Sequence, residues 1–154
     1  MKARSLLALA ALTVFVVTAI QADDAKKKGP ACPVSGKAAK DIPGSSVDFN
    51  GGKVLFCCAN CPKAFANNTA KFAAKANAQL VTTGQLKQGV CPITGRKLNA
   101  KQNLTVGGAK VVFCCPGCKG KVAKLEGAAQ LESVLGVAAF KKAKYTVAKK
   151  EKKG

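Results

Sequence analysis

Cysteine is the residue type through which this sequence can do chemistry, and three of its eight cysteines crowd into VLFCCANC at 54–61. The arrangement returns as VVFCCPGC at 111–118. Within each cluster two residues separate the last cysteine from the second member of the adjacent pair, and three residues separate it from the first member. Both spacings are found between paired thiolate ligands in metal sites. A further cysteine opens each of the segments CPVSGK, 32–37, and CPITGR, 91–96. The sequence therefore offers two candidate metal sites built from sulfur.

The sequence lacks the side chains that the common forms of acid–base and nucleophilic catalysis require. Histidine is absent, and aspartate and glutamate together number 7. Without histidine the chain has no general base of the usual kind near neutral pH, so neither a Ser-His-Asp nor a Cys-His arrangement can form. A glycine-rich nucleotide-binding loop is also missing from the sequence. We therefore predict no catalytic residues and a protein that is not an enzyme.

The two halves of the chain are copies of one unit. The segments 32–37 and 91–96 match position by position as Cys, Pro, a β-branched residue, a hydroxyl residue, Gly and a cation. The segments 47–61 and 104–118 share the core KV-x-FCC-x-x-C. Such a regular match indicates a tandem duplication in which each copy holds four of the eight cysteines.

Each copy contains the signals of a turn, a β-hairpin and a helix. Proline and glycine in CPVSG and CPITG favour a tight turn. Alternating apolar residues around NGG at 50–52 and GG at 107–108 predict two hairpins. An Ala- and Lys-rich helix follows the first cluster, with Phe65 and Phe72 predicted to share one face. The sequence thus predicts the α+β class, with two small tandem ββα Cys-rich modules of zinc-knuckle-like type.

The first residues have the layout of a secretion signal. Lys2 and Arg4 precede the uncharged apolar stretch 6–20, and Ala22 stands before the polar run DDAKKK. This layout predicts cleavage after Ala22 and an exported protein, either periplasmic or secreted. The predicted segments are a signal peptide, 1–22; a linker, 23–29; a first Cys-rich ββα module, 30–80; a second linker, 81–88; a second such module, 89–140; and a Lys-rich, basic, flexible tail, 141–154.

The chain is strongly basic, with 26 Lys and Arg and a formal net charge of +19. Such a charge favours contact with anionic surfaces. We expect the Lys-rich tail to contact an anionic surface or a metal-handling protein. Export argues against chromosomal DNA, so no specific nucleic acid is expected as a partner. A membrane contact is expected only through the signal segment, if that segment stays uncleaved.

The cysteines are expected to staple modules that are too small to fold on apolar burial alone. Thiols from a strand end, a helix start and a turn can converge on one ion, and soft sulfur ligands select Zn(II) or Cu(I). Successive residues on a strand face opposite sides, so Cys57 and Cys58 are predicted to point apart unless the strand has already turned. The spacing leaves open whether a site has three or four thiolates.

Disulfides are the competing interpretation, because an exported protein with an even number of cysteines is their usual setting. Adjacent cysteines rarely bond each other, so a bridge from Cys32 to Cys58 is the more reasonable pairing in that case. The protein would then be a disulfide-stapled, non-enzymatic adaptor that binds an anionic partner through its basic surface.

The segments CPVSGK … KVLFCCANCPKAF and CPITGR … KVVFCCPGCKGKV resemble the YHS/TRASH group of small metal-binding modules. The resemblance covers residues of about 30–75 and 89–125 and implies roles in heavy-metal sensing, trafficking or resistance. In this chain the turn cysteine precedes the proline, and Ser35 and Thr94 stand where many such modules carry it. The ligands that the resemblance implies are Cys32, Cys57 and Cys61 in one site and Cys91, Cys114 and Cys118 in the other, with Cys58 and Cys115 as additional candidates.

The expected function follows from the repeated clusters and the resemblance together. We expect an exported heavy-metal-binding protein that holds or traffics a thiophilic ion, Zn or Cu(I), through cysteine thiolates in two repeated sites.

Overall fold

A computed structural model of the chain describes residues 29–40 and 43–148. These residues form helices and short antiparallel strands, which confirms the predicted α+β class. The predicted signal peptide, 1–22, and residues 23–28 of the first predicted linker lie outside the described residues. None of the described helices combines the length and the apolar character that crossing a bilayer requires.

Two hairpins, each followed by helices, make up most of the described chain. The elements in chain order are β1 (Ser46–Phe49), β2 (Gly52–Leu55), α1 (Asn60–Asn67), α2 (Thr69–Thr82), β3 (Leu86–Lys87), β4 (Asn99–Val106), β5 (Ala109–Phe113), α3 (Pro116–Ala123), α4 (Gly127–Leu135), α5 (Val137–Lys142) and β6 (Thr146–Val147). The strands pair as β1 with β2, β4 with β5, and β3 with β6, all antiparallel.

Both hairpins form because their turns carry residues that tolerate a positive φ. Asn50 and Gly51 have φ values of 50° and 81°, and Gly107 and Gly108 have values of 56° and 83°. Two consecutive positive φ angles are typical of the type I′ turn, whose twist matches that of the flanking strands. The short turn signals in the sequence therefore fix where each hairpin reverses.

The helical region after the first cluster is divided into two helices at Asn68. This residue has φ −147° and ψ 59°, which interrupts the helical backbone. Its side-chain oxygen accepts a hydrogen bond from the backbone N–H of Lys71 at 3.3 Å, so Asn68 caps α2. Phe65 and Phe72 therefore belong to different helices, with Phe65 buried and Phe72 half-buried.

One hydrophobic core joins the two copies. Helix α2 packs against β2 of its own copy and against β5, α4 and α5 of the second copy. Its buried positions include four alanines, which let neighbouring elements approach the helix closely: Ala73, Ala74, Ala76 and Ala78. The halves therefore share buried apolar surface, which compensates for the small size of each one.

Asn77 connects the first hairpin to the second copy. Its side chain is fully buried. Its Nδ2 atom donates a hydrogen bond to the carbonyl of Leu135 at 2.8 Å, and its Oδ1 atom accepts one from Nδ2 of Asn50 at 2.7 Å. This single amide group thus links α2, the first hairpin turn and the end of α4.

The substitution Asn77→Ala is expected to lower the free energy of unfolding by about 1–3 kcal/mol, because the buried carbonyl of Leu135 loses this donor. Urea unfolding followed by circular dichroism measures the change. The matched control is Asn67→Ala at the exposed end of α1, which should change the free energy by less than about 0.5 kcal/mol. Equally small effects of both substitutions would contradict the linking role of Asn77.

The prediction of a flexible tail from residue 141 is wrong for residues 141–148. Helix α5 continues to Lys142, and β6 follows. The rings of Phe140 and Tyr145 stack with centroids 4.3 Å apart. Apolar side chains between the lysines therefore attach this segment to the core. Residues 149–154 lie outside the described residues.

The predicted linker 81–88 also has regular structure. Helix α2 extends to Thr82, and β3 pairs with β6, with Leu86 opposite Val147. The backbone N–H groups just after β3 donate to the carbonyl of Ala143 at 3.0–3.1 Å. The connection between the copies is therefore held in place by the C-terminal segment.

Candidate metal centres

The structure brings three thiols of the first copy together. The Sγ atoms of Cys32, Cys57 and Cys61 all lie within 4.8 Å of one another. The Sγ atoms of Cys57 and Cys61 are 3.6 Å apart. Cys32 and Cys61 are buried, and Cys57 is partly exposed. The first group therefore has one side open to solvent at Cys57.

The second copy repeats this arrangement. The Sγ atoms of Cys91, Cys114 and Cys118 also lie within 4.8 Å of one another, and those of Cys114 and Cys118 are 3.7 Å apart. As in the first copy, two of the three thiols, Cys91 and Cys118, are buried, and the third, Cys114, is partly exposed. All eight cysteines are free thiols in this structure. The six cysteines that the resemblance implied thus fall into two groups of three.

A self-closed turn presents the first thiol of each group. The N–H of Cys32 donates to the carbonyl of Lys37 at 2.7 Å, and the N–H of Gly36 donates to the carbonyl of Cys32 at 2.8 Å. Gly36 has a φ of 73°, in the left-handed region that favours glycine. The turn of the second copy has equivalent hydrogen bonds, and Gly95 has the same φ of 73°. The glycine of each turn therefore fixes the place of its cysteine.

The other two thiols come from the junction between a hairpin and a helix. In the first copy β2 ends at Leu55 and α1 begins at Asn60, so a short bend carries Cys57 towards Cys61. In the second copy Pro116 is the first residue of α3, a position where the absent N–H of proline costs nothing. The abrupt change from strand to helix brings the two sulfurs together.

Glutamine side chains hold the edge of each hairpin beside its thiols. The Oε1 atom of Gln79 accepts from the N–H of Leu55 at 2.7 Å, and its Nε2 atom donates to the carbonyls of Leu55 and Ala31, each at 2.8 Å. Gln88 makes the same pair of bonds to the backbone of Val112, at 2.9 and 2.8 Å. Each glutamine amide thus pairs with the N–H and the carbonyl of one residue at the hairpin edge, as the backbone of a neighbouring strand would. The sequence contained no signal for this role, because the two glutamines come from non-equivalent positions.

Cys58 and Cys115 lie outside the two groups of three but next to them. The Sγ atom of Cys58 is 3.4 Å from that of Cys61 and 3.9 Å from that of Cys57. The Sγ atom of Cys115 is 3.7 Å from that of Cys114. The strand ends before each pair of adjacent cysteines, so the sulfurs of a pair lie close together and do not point to opposite faces.

A hydroxyl group contacts the partly exposed thiol of each site. The Oγ atom of Ser35 is 3.1 Å from Sγ of Cys57, and the Oγ1 atom of Thr94 is 3.2 Å from Sγ of Cys114. Sequence reasoning assigned no role to these residues. The available signal was a hydroxyl residue at the same place in both copies.

The thiols of the first site differ in pKa. Burial raises the pKa of the Cys32 thiol, but hydrogen bonds from Ser35 and from neighbouring backbone N–H groups outweigh it and lower the pKa to about 7. Burial raises the pKa of Cys61 well above its usual range, and hydrogen bonds with the sulfurs of Cys58 and Cys57 raise it further. Hydrogen bonds from Cys61 lower the pKa of Cys58.

The second site has the same pattern. Burial opposes ionisation of Cys91, but hydrogen bonds from the backbone and side chain of Thr94 lower its pKa to about 7. Burial and hydrogen bonds with Cys115 and Cys114 raise the pKa of Cys118 to about 12. Hydrogen bonds from Cys118 lower the pKa of Cys115. A bound cation would favour the thiolate form of every ligand that it contacts.

The sulfur geometry fits a thiophilic cation. Zn–S bonds of about 2.3 Å place the sulfurs of a tetrahedral site about 3.8 Å apart. The distances of 3.6 Å between Cys57 and Cys61 and 3.7 Å between Cys114 and Cys118 are close to that value. Thiolates of this kind suit Zn(II) and Cu(I) alike. Both groups of cysteines are therefore compatible with metal binding.

Comparisons of the chain with models of protein families, with curated protein sequences and with solved structures find no match in any of the three. The arrangement of the thiols is thus the basis for assigning a function.

Proposed function

We propose that this protein is an exported heavy-metal-binding protein that holds or traffics a thiophilic ion, Zn(II) or Cu(I), at two thiolate sites. Each site is part of a YHS/TRASH-like ββα module, and the protein is not an enzyme. The proposed ligands are Cys32, Cys57 and Cys61 in the first site and Cys91, Cys114 and Cys118 in the second.

The observation that carries the proposal is the repeated convergence of three thiols within 4.8 Å in both copies. A cysteine that only fills space in a core needs no second sulfur beside it. The copies keep the sulfur geometry although different residues support it, since Gln79 belongs to α2 and Gln88 follows β3. The two halves therefore share the group of three sulfurs and the turn that presents its first member, while the glutamine that supports each hairpin comes from a different position.

The number of thiols supports exchange of the ion over permanent burial. Structural zinc sites are closed by four protein ligands, whereas three protein ligands leave a position for an incoming group. In each site two thiols are buried and the third, Cys57 or Cys114, is partly exposed. An ion at either site would thus be held from inside the fold and approached from solvent.

Export and the anionic partner are supported by the sequence. The charged, apolar and small residues of segment 1–22 have the order of a secretion signal. The segment 149–154 contains four lysines and one glutamate, and the whole chain carries a net charge of +19. In the proposal this basic end contacts an anionic surface or a metal-handling protein.

Native mass spectrometry of the full chain, purified under reducing conditions and titrated with Zn(II) or Cu(I), tests the proposal. We expect two ions per chain, one for each thiol group. A free-thiol count on the same sample shows whether sulfur is oxidised. A chain with no bound ion and no free thiol would instead be the disulfide-stapled adaptor.

A truncated chain separates the metal sites from the basic end. Deletion of 149–154 should leave both ions bound, because neither thiol group contacts that segment in the proposal. A longer deletion is unsuitable, since Ala143 is fully buried and Tyr145 stacks on Phe140. Loss of an ion on deletion of 149–154 would show that the basic end takes part in a site.

A further inference from the structure

Each proposed site has a thiol outside the group of three, at the same position in both copies. Cys58 and Cys115 directly follow the partly exposed ligands Cys57 and Cys114. Cys58 is exposed, and Cys115 is partly exposed. These two thiols have no function in a site that needs only the inner three.

The outer thiol of the first site is close enough to share an ion with the inner ones. Its Sγ atom lies 3.4 Å from Sγ of Cys61 and 3.9 Å from Sγ of Cys57. Two sulfurs bound to one zinc ion are about 3.8 Å apart. Cys58 could therefore bind an ion that is still held by Cys57 or Cys61 while it moves away from the buried Cys32.

In the second site the outer sulfur is likewise close to the sulfur of the preceding cysteine. Sγ of Cys115 lies 3.7 Å from Sγ of Cys114. Pro116 and Gly117, which follow it, are exposed. An acceptor can thus reach this thiol from solvent without displacing any part of the core.

We propose that Cys58 and Cys115 are transfer ligands, through which a thiophilic ion enters and leaves the inner groups of three thiols. This inference rests on the proposed function, because it assigns a step to the same two sites. The acceptor or donor is a soft-ligand carrier of the ion, such as a thiolate.

The transfer step is an exchange of ligands without a change in oxidation state. On release, the outer thiol loses its proton to solvent and forms a bond to the ion, while the bond from the ion to one inner sulfur breaks and that sulfur takes up a proton. The carrier's ligand then bonds the ion, the bond to the outer sulfur breaks, and this sulfur is protonated again. Uptake follows the same steps in reverse.

A permanent fourth ligand is the other role that an outer thiol could have. It is less consistent with the structure, because the set of sulfurs that all lie within 4.8 Å of one another contains only Cys32, Cys57 and Cys61 in the first site. The two roles predict opposite changes in the rate of release. Loss of a transfer ligand slows release, whereas loss of a permanent ligand weakens binding and accelerates it.

Stopped-flow release of Zn(II) from the loaded full chain to excess 4-(2-pyridylazo)resorcinol measures that rate by absorbance. In Cys58→Ser, half of the zinc is expected to leave at least about tenfold more slowly, and the other half at the original rate. Cys115→Ser should give the same two phases, and the double variant only the slow phase. In each single variant the untouched site is the internal reference.

Ala59→Ser, at the exposed residue that follows Cys58, is a control that leaves every thiol in place. This variant should release both ions at the wild-type rate. Release from Cys58→Ser that is unchanged within about twofold, or faster than wild type, would overturn the transfer role. Native mass spectrometry before mixing distinguishes the two proposals. A wild-type chain that binds neither Zn(II) nor Cu(I) would defeat the proposed function, whereas two zinc ions with unchanged rates defeat only the transfer role.

Discussion

Replacement of Cys61 by serine is expected to reduce bound zinc from two ions per chain to one. The Cys61 sulfur lies 3.6 Å from that of Cys57 and belongs to the group that includes Cys32. A serine hydroxyl is a hard, weakly acidic ligand and does not replace a thiolate for a thiophilic ion. Only two thiols of the inner group, Cys32 and Cys57, remain after the change, and Cys58 lies outside the set of sulfurs that surrounds the ion. Native mass spectrometry under reducing conditions measures the loss.

The matched variant in the other copy is Cys118→Ser, which should also leave one ion. The double variant should bind none. Cys58→Ser is the control within the first cluster, because an outer thiol is not required for the bound state and both ions should remain. Retention of two ions by Cys61→Ser would rule Cys61 out as an essential ligand and with it the first proposed site.

Saturation with zinc is expected to raise the melting temperature of the chain by roughly 10–20 °C. A ligand that binds only the folded state adds about 2.7 kcal/mol per site at 100 times its dissociation constant, so two sites add about 5 kcal/mol. Ions held between a turn and a hairpin–helix junction fit this condition, since the unfolded chain does not hold its three thiols together. Thermal unfolding followed by circular dichroism, with zinc and with a chelator, gives the difference.

The double variant Cys61→Ser, Cys118→Ser is the reference for this measurement. Its melting temperature should be the same with zinc and with chelator, because neither site remains. Since the two copies share one core, the metal-free wild type is still expected to unfold cooperatively. A wild-type melting temperature that does not change at saturating zinc would show that the ion has no preference for the folded chain.

The two sites have the same arrangement of thiols, but their cysteine turns are attached to the rest of the fold by different contacts. The turn of the second site is fastened to the C-terminal region, because the ammonium group of Lys142 donates a hydrogen bond to the carbonyl of Ile93. In the first site the corresponding turn is connected to α2 through the bond from Gln79 to Ala31. Changes in α5 should therefore disturb the second site more than the first.

Local signals in the sequence predicted the elements that carry the thiols. Asn50 and Gly51 specify their hairpin turn through backbone preferences of those residues alone, and Gly36 fixes the first cysteine turn in the same way. The duplication then indicated that whatever the first cluster does, the second does too. The grouping of Cys32 with Cys57 and Cys61 required the resemblance as well, because spacing by itself left Cys58 as an equal candidate.

The lysine-rich composition near the C-terminus led to a wrong prediction, because the apolar residues that hold this segment are few and widely separated. The segment 141–148 contains lysines that suggest a solvated tail, yet Phe140 and Tyr145 stack and β6 pairs with β3. The β3 strand that pairs with β6 is distant from it in sequence, so no local pattern predicts that pairing. Asn68 is a different case, because its capping of α2 was a recognisable local signal that the prediction of one continuous apolar face did not take into account.

The sequence alone determined the hairpins, the two cysteine turns and the presence of two clusters, because each depends on a few neighbouring residues and their backbone preferences. Only the tertiary structure decided that the copies share one core, that Gln79 and Gln88 hold the hairpin edges, and that three sulfurs in each copy meet while a fourth stays outside. These outcomes depend on burial and hydrogen bonding between residues far apart in the chain. Such contacts form only when the whole chain packs, so no short stretch of sequence contains them.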